Sequence, residues 1–136
     1  MEKKGQISIE YLIVVGFITA LVIGMVGIAF IYTGGIEDEI KFNQLESFAK
    51  KLVSSAESVF YAGEPSKVEI NAYLPRGVDG ISIDNREIIF NITTSSGLNS
   101  IGYSSNVNVT GSISPSEGTK RIQIIAQSDK VLITQN

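Results

Sequence analysis

The sequence predicts an α+β protein: a long N-terminal hydrophobic helix, an amphipathic helix that continues it, and a small, mainly antiparallel β-sheet domain. Three observations predict this class. Residues 11–33 are an uncharged apolar run, residues 36–62 repeat apolar side chains every three or four positions, and after Pro65 the apolar period becomes two. Helices followed by a run of strands are typical of the α+β class.

The apolar run is long enough to cross a membrane. It covers the 23 residues from Tyr11 to Thr33. As a helix it measures about 35 Å, against roughly 30 Å for the hydrocarbon core of a bilayer. Lys3 and Lys4 precede it. Because positive residues favour the cytoplasmic side, we expect a cytoplasmic N-terminus and an external C-terminal domain.

The residues around the start of this run carry a specific motif. Residues 3–11, KKGQISIEY, combine two lysines, a glycine and a Gln-x-Ser-x-Glu-Tyr pattern. This motif resembles the class III signal of archaeal type IV-like pilins more closely than the signal of archaellins. The resemblance implies that a prepilin peptidase cleaves between Gly5 and Gln6. Residues 1–5 would then be a signal segment, and residues 6–35 a transmembrane helix that becomes the filament core.

Glu10 is a carboxylate in the first turn of the apolar helix. A charge drawn to the middle of a membrane costs about 3 kcal/mol, so such a residue has a partner or a purpose. One interpretation is a carboxylate that reaches headgroup water. The other is an ion pair with the α-amino group that cleavage creates on Gln6, four residues earlier, in the same helix or a neighbouring one. The pilin resemblance implies the second role, filament assembly, for Glu10 and Gln6.

The segment 36–65 is predicted to be an amphipathic helix. Gly34-Gly35 before it favours a kink or a short break, and Gly63 followed by Pro65 favours a stop. Its apolar stripe is expected to support the sheet, with a coiled-coil partner as the other interpretation. The stripe comprises Ile36, Ile40, Leu45, Phe48, Ala49, Leu52, Val53, Ala56, Val59 and Phe60.

The segment 66–136 is predicted to be an external head of five or six short strands. Alternating apolar residues run from Val68 to Leu74, and Pro75 ends this strand. Asp84-Asn85-Arg86 predicts a tight turn between two further strands. The remaining apolar alternations lie at Val107–Val109, Ile122–Ala126 and Val131–Ile133, and the last two predict a closing hairpin.

The middle of this head is strongly polar. Twenty of the 29 residues from 91 to 119 are Ser, Thr, Gly or Asn. This composition predicts loops and exposed strands that bury little. Two N-glycosylation motifs lie there, beginning at Asn91 and Asn108. On an external domain they make N-linked glycans on these two side chains an expectation, with a bare polar surface as the alternative.

Composition argues against several other functions. The chain has no histidine and no cysteine, which removes the commonest general base and any disulfide framework. Its net charge is −3 without a basic stripe, which argues against nucleic-acid binding. Asp79, Asp84, Asn85 and Glu87 match no calcium-loop spacing and are explained as turn residues. We expect no enzyme activity, no cofactor and no metal site.

The pilin resemblance implies a structural subunit of a surface filament. Such a subunit is a membrane-anchored precursor, a substrate of prepilin peptidase, and then part of an extracellular helical homo-oligomer used for adhesion. The motif is shared by major pilins and by minor, tip or priming pilins. The alternative to a filament subunit is a binding protein. It would be a single-pass surface protein that does not polymerise and keeps residues 1–5.

Overall fold

The computed structural model describes the backbone of residues 3–136 and the side chains from Ser8 onward. It contains two compact units, Met1–Glu37 and Asp38–Asn136. In the described residues there are one helix and seven strands, which confirms the α+β class. They are α1 (Lys3–Ala62), β1 (Lys67–Leu74), β2 (Val78–Asp84), β3 (Glu87–Thr94), β4 (Gly97–Ser104), β5 (Val109–Ser112), β6 (Gly118–Ala126) and β7 (Val131–Gln135).

The first unit is the N-terminal part of α1, and the helix does not stop where this unit ends. It passes through Gly34 and Gly35 without a break, so the short break that these glycines predicted is absent. Two glycines cost about 1 kcal/mol each in a helix. That penalty is small against the helical hydrogen bonds formed on both sides of the pair, because helix propagation is cooperative.

The second unit is built around one seven-stranded sheet. Its strand order is β1-β6-β7-β5-β2-β3-β4, which leaves β1 and β4 at the edges. All neighbours are antiparallel except β5 and β7, which run parallel. The predicted hairpins are confirmed: β2 and β3 are joined at Asn85, whose positive φ of 54 suits a tight turn, and β6 pairs with β7.

The core of this unit lies between the sheet and one face of residues 38–62 of α1. The buried helix residues follow the i, i+3, i+4, i+7 pattern, so they share one face. The ring of Phe48 meets that of Phe90 on β3 edge to face, at 6.0 Å between centroids. This confirms that the predicted stripe supports the sheet. The buried helix residues are Leu45, Phe48, Ala49, Leu52, Ala56 and Val59.

Two members of the predicted stripe are outside this core. Ile36 is 58% exposed and Ile40 is 51% exposed. The sheet does not cover this end of the stripe, which fits their position at the beginning of the predicted segment. At the other end, α1 stops at Ala62, directly before the stop predicted at Gly63. Gly63 has a φ of +80 and donates its N–H to the carbonyl of Phe60, a typical helix C-terminus.

The polar segment 91–119 differs most from expectation. It contains a complete strand, β4, which raises the strand count to seven, and it contributes apolar side chains to the core. These buried residues are Ile92, Val107, Val109 and Ile113. The strand β4 was not predicted because its alternation is weak: its inward-facing residues Asn99, Ile101 and Tyr103 are only half-buried at the edge of the sheet.

Candidate assembly site

The first candidate site is the apolar helix of the N-terminal unit. Every residue from Ser8 to Thr33 is exposed, and the large apolar side chains range from 42% exposed at Val15 to 80% at Ile31. The described chain thus contains one helix long and apolar enough to cross a membrane, and the described residues bury none of its apolar part. By its length and composition this helix could anchor the protein in a membrane.

The polar groups of this helix fit an apolar environment. The hydroxyls of Thr19 and Thr33 donate to the carbonyls of Val15 and Ala29, at 2.7 and 2.9 Å. They therefore need no partner outside the helix. Tyr11 and Tyr32 are 21 residues apart, about 31 Å along a helix. This spacing is close to the thickness of a hydrocarbon core, about 30 Å, so a membrane-spanning helix would place one aromatic ring near each interface.

Glu10 is the only charged residue from Ser8 to Ile36. Its side chain is exposed, and within the described part of the chain no hydrogen bond or ion pair engages it. The predicted cleavage residues, Gly5 and Gln6, lie outside the residues whose side chains are described. The helix therefore presents one carboxylate at its start without a described partner.

Glycines on the helix leave its surface open. A Cβ built on Gly16, Gly24 or Gly27 meets no other atom within 4 Å. Gly16 and Gly27 lie on nearly the same side of the helix, since eleven residues complete about three turns. Small residues allow a second helix to approach closely, so these positions are compatible with lipid contact and with helix packing alike.

The two candidate glycosylation sites sit in different environments. Asn108 is exposed in the segment before β5, and its amide makes only long contacts, 3.3 Å from Arg86 Nε and 3.4 Å to the carbonyl of Asp129. Asn91 is half-buried within β3, paired on both sides, and its Oδ1 accepts a 2.6 Å hydrogen bond from Ser100. The side-chain amide nitrogen of Asn108 is therefore more accessible for attachment of an N-linked glycan than that of Asn91.

The head begins at Asp38, which ties α1 to the turn between β3 and β4. Its carboxylate accepts the backbone N–H of Ser95 at 3.0 Å and a shorter hydrogen bond from the Ser95 hydroxyl, while Lys41 lies 3.7 Å away. The Ser95 hydrogen bonds hold the pKa of Asp38 below its ordinary value of 3.8. The ionised form of Asp38 is therefore the one that fastens the turn to the helix.

The acidic residues near the β2–β3 hairpin do not converge. Asp79 accepts a hydrogen bond from Thr93, Asp84 contacts Asn85, and Glu87 lies over Gly102. Within residues 8–136 no group of three or more acidic side chains is placed to hold a metal ion. Each of these carboxylates instead contacts a neighbouring residue of the sheet.

No protein-family model, curated protein or solved structure matches this chain. The described residues combine an exposed apolar helix, a single carboxylate near the start of its apolar run and a compact α+β head.

Proposed function

We propose that this chain is the structural subunit of an archaeal type IV-like pilus. One observation carries the proposal: the helix from Ser8 to Thr33 is apolar, exposed along its whole length and free of charge except at Glu10. The signal-like motif around Gly5 and Gln6 precedes it directly. In this proposal the precursor is held in the membrane by the helix. After cleavage the helix leaves the lipid and packs with copies of itself.

Transfer from lipid to a helix bundle exchanges one apolar environment for another. Because lipid and the protein interior are similarly apolar, the free energy of helix association comes from close packing between helices. A heterologous contact that repeats from copy to copy generates a helical filament when its rotation does not close into a ring. The heads, each carried on its helix, would form the outer layer and provide the adhesive surface, including any glycan on Asn108 or Asn91.

Glu10 supplies register in this proposal. Cleavage after Gly5 gives Gln6 a positive α-amino group near the end of the helix. At about 4 Å and an effective dielectric constant of about 20, the attraction to a carboxylate is about 4 kcal/mol before desolvation is subtracted. The net gain is smaller, but a misplaced subunit leaves a charge unpaired in the bundle, which costs about 3–5 kcal/mol. The pair therefore penalises incorrect stacking.

Two measurements test the proposal. The mass of the N-terminal peptide from cell-surface material should place the mature start at Gln6. The substitution Glu10→Ala should leave membrane insertion and cleavage intact but strongly reduce the yield of filaments, whereas Glu39→Ala, an exposed acid on the same helix outside the apolar run, should assemble normally. An intact residue 1–5 segment, or filaments from Glu10→Ala at the normal yield, would contradict the proposal.

A further inference from the structure

The strand β4 lies at one edge of the sheet, and β3 is its one neighbouring strand. The two strands are antiparallel and joined by the two-residue turn Ser95-Ser96, so Thr94 and Gly97 form the pair next to the turn. That pair is hydrogen-bonded, and hydrogen-bonded pairs then alternate along the ladder. The N–H of Ser105 donates to the carbonyl of Arg86 at 2.7 Å, in agreement with this alternation. The residues that point their N–H and C=O groups away from β3 are therefore Leu98, Ser100, Gly102 and Ser104.

The backbone groups of these four residues, four N–H and four C=O, form a free edge that we call the β4 edge. All four residues are exposed, and within the described part of the chain no hydrogen bond engages these groups. A row of unpaired groups at this spacing is a template for another strand. The β4 edge is therefore complementary to an extended polypeptide.

The β4 edge lacks the features that protect sheet edges from pairing. Proteins blunt such edges with charged residues, with proline or with a covering element. β4 contains neither a charged residue nor a proline, and no charged residue occurs from Ile88 to Ser116. The opposite edge, β1, carries Lys67 and Glu69. Its Asn71 carbonyl also accepts a 2.6 Å hydrogen bond from Lys51 Nζ. One edge of the sheet is thus protected, and the other is open.

We propose that the β4 edge pairs with the β4 edge of a second copy of this chain, in an antiparallel ladder centred on Ile101. In this register Leu98 of one copy opposes Ser104 of the other, and Ser100 opposes Gly102. Every group of both edges then has a partner, which makes eight hydrogen bonds. A ladder centred on Ser100 or on Gly102 would leave two of these bonds unformed. The spacing of the open groups therefore selects one register.

The side chains of β4 also match in this register. On the inner side of the sheet the half-buried Ile101 opposes its own copy, and Asn99 opposes Tyr103. Ile101 and Tyr103 pack against the core of their own head, so the pairing would extend that apolar surface across the two copies. On the outer side Leu98 opposes Ser104. The pairing desolvates no charge of β4, because the strand has none.

The symmetry of the pair fixes which copies can meet. The two-fold axis of such a ladder is perpendicular to the sheet. Residues 38–62 of α1 pack along one face of the sheet, so the rotation reverses their direction in the second copy. The subunits of a filament built from one repeated heterologous contact share one direction. In the proposed filament the β4 pair would therefore join heads of two separate filaments, but the pairing itself needs neither cleavage nor filament formation.

Disulfide cross-linking tests the register. The chain has no cysteine, so each variant carries one thiol. In the pair the Cα atoms of Ile101 and its copy would be about 4.5 Å apart, within the range of about 4.4–6.8 Å for a disulfide. The two Asn99 residues would be about 13 Å apart along the strands. With oxidised glutathione, full-length Ile101→Cys in detergent micelles should form covalent dimers about tenfold or more faster than the matched control Asn99→Cys.

An introduced carboxylate tests the pairing with Ile101 intact. Ser100 would oppose Gly102 of the second copy, over which the Glu87 carboxylate of that copy lies, so Ser100→Glu brings like charges together. Ser112→Glu is the matched control, because Ser112 is also exposed but lies on β5 within the sheet. Sedimentation of the full-length protein in micelles at several concentrations should show a dimer dissociation constant raised about tenfold or more by Ser100→Glu and unchanged by Ser112→Glu.

Three results would overturn the inference. They are a wild-type chain that stays monomeric at every concentration, equal rates of linking at positions 99 and 101, and dimers that Ser100→Glu leaves as stable as Ser112→Glu does. The last result would be expected if the apolar helices alone held the copies together. Because these micelles contain no filaments, failure of the proposed filament would leave the results unchanged, and the two proposals can fail separately.

Discussion

The substitution Gly111→Ala should be the most damaging single methyl addition to the head. Gly111 lies at the centre of the sheet, on β5, paired with Ile133 of β7 on one side and with Ile83 of β2 on the other. A Cβ built on it comes within 1.8 Å of the carbonyl oxygen of Ile133, and its φ of +150 is strained for an L side chain. Because the clash is with backbone, no side-chain rotation relieves it.

The loss in the free energy of unfolding can be worked out from the strands that must move apart to accommodate the methyl group. Separating β5 from β7 would sacrifice about three ladder hydrogen bonds, at roughly 1 kcal/mol each. Backbone strain at a positive φ adds about 1–3 kcal/mol. The free energy of unfolding should therefore fall by about 4–6 kcal/mol. Gly97→Ala is the matched control, because Gly97 has a φ of +109 but nothing within 4 Å of its Cβ position. The free energy of unfolding of Gly97→Ala should therefore fall only by the backbone strain of about 1–3 kcal/mol.

Thermal unfolding of the full-length protein in detergent micelles, followed by circular dichroism of the strands, measures the difference. In a domain of this size a loss of 1 kcal/mol lowers Tm by about 4–8 °C. Gly111→Ala should therefore melt about 12–24 °C below Gly97→Ala. Equal Tm values for the two variants would refute the close approach of β5 and β7 and the central place of β5 in the sheet.

Three further predictions concern the head. Peptide mass spectrometry of surface material should find any N-linked glycan on Asn108, and Asn108→Gln should remove the added mass while Asn91→Gln leaves it unchanged. Asp38→Ala should lower Tm at neutral pH; because the folded-state pKa of Asp38 is depressed, the difference from wild type should be full above pH 3.8 and be lost as pH falls below it. Phe48→Ala, which removes a ring that is 2% exposed, should cost about 3–5 kcal/mol in chemical unfolding.

Each of these has an outcome that contradicts it. A glycan found on Asn91 alone would show that accessibility in the folded head does not select the acceptor. A Tm difference for Asp38→Ala that persists unchanged into strong acid would mean that the Asp38 carboxylate does not act in its ionised form. A loss below about 1 kcal/mol for Phe48→Ala would be incompatible with its edge-to-face packing on Phe90.

The sequence predicted those parts of the fold where side-chain periodicity is strong. The alternation from Val68 to Leu74 and the turn at Asn85 correspond to β1 and to the β2–β3 hairpin. The strand β4 was missed because an edge strand needs only one partner and tolerates polar residues on its inner side, as at Asn99. Its hydrogen-bonded neighbour β3, and not its own composition, makes it a strand.

The candidate sites were predictable to different degrees. The uncharged run and Glu10 are visible in the sequence, because the length of an apolar segment and the position of a lone charge can be read along the chain without knowing the fold. The exposure of Ile40 and Ser47 was not visible, since it depends on which part of α1 the sheet leaves uncovered. The role of Gly111 also depends on the parallel pairing of β5 with β7, a long-range contact that no local pattern indicates.

The internal hydrogen bonds of Thr19 and Thr33 have a consequence for the energetics of moving this helix. Both hydroxyls are satisfied within their own turn, so they make the same bonds in fluid lipid and in a crowded protein interior. From Leu12 to Thr33 the two threonine hydroxyls would therefore neither gain nor lose a hydrogen bond if the helix exchanged one surrounding for the other. In the proposed filament, the balance between lipid and protein surroundings would then be set by helix shape and by the Glu10 carboxylate, and small changes in either would shift it.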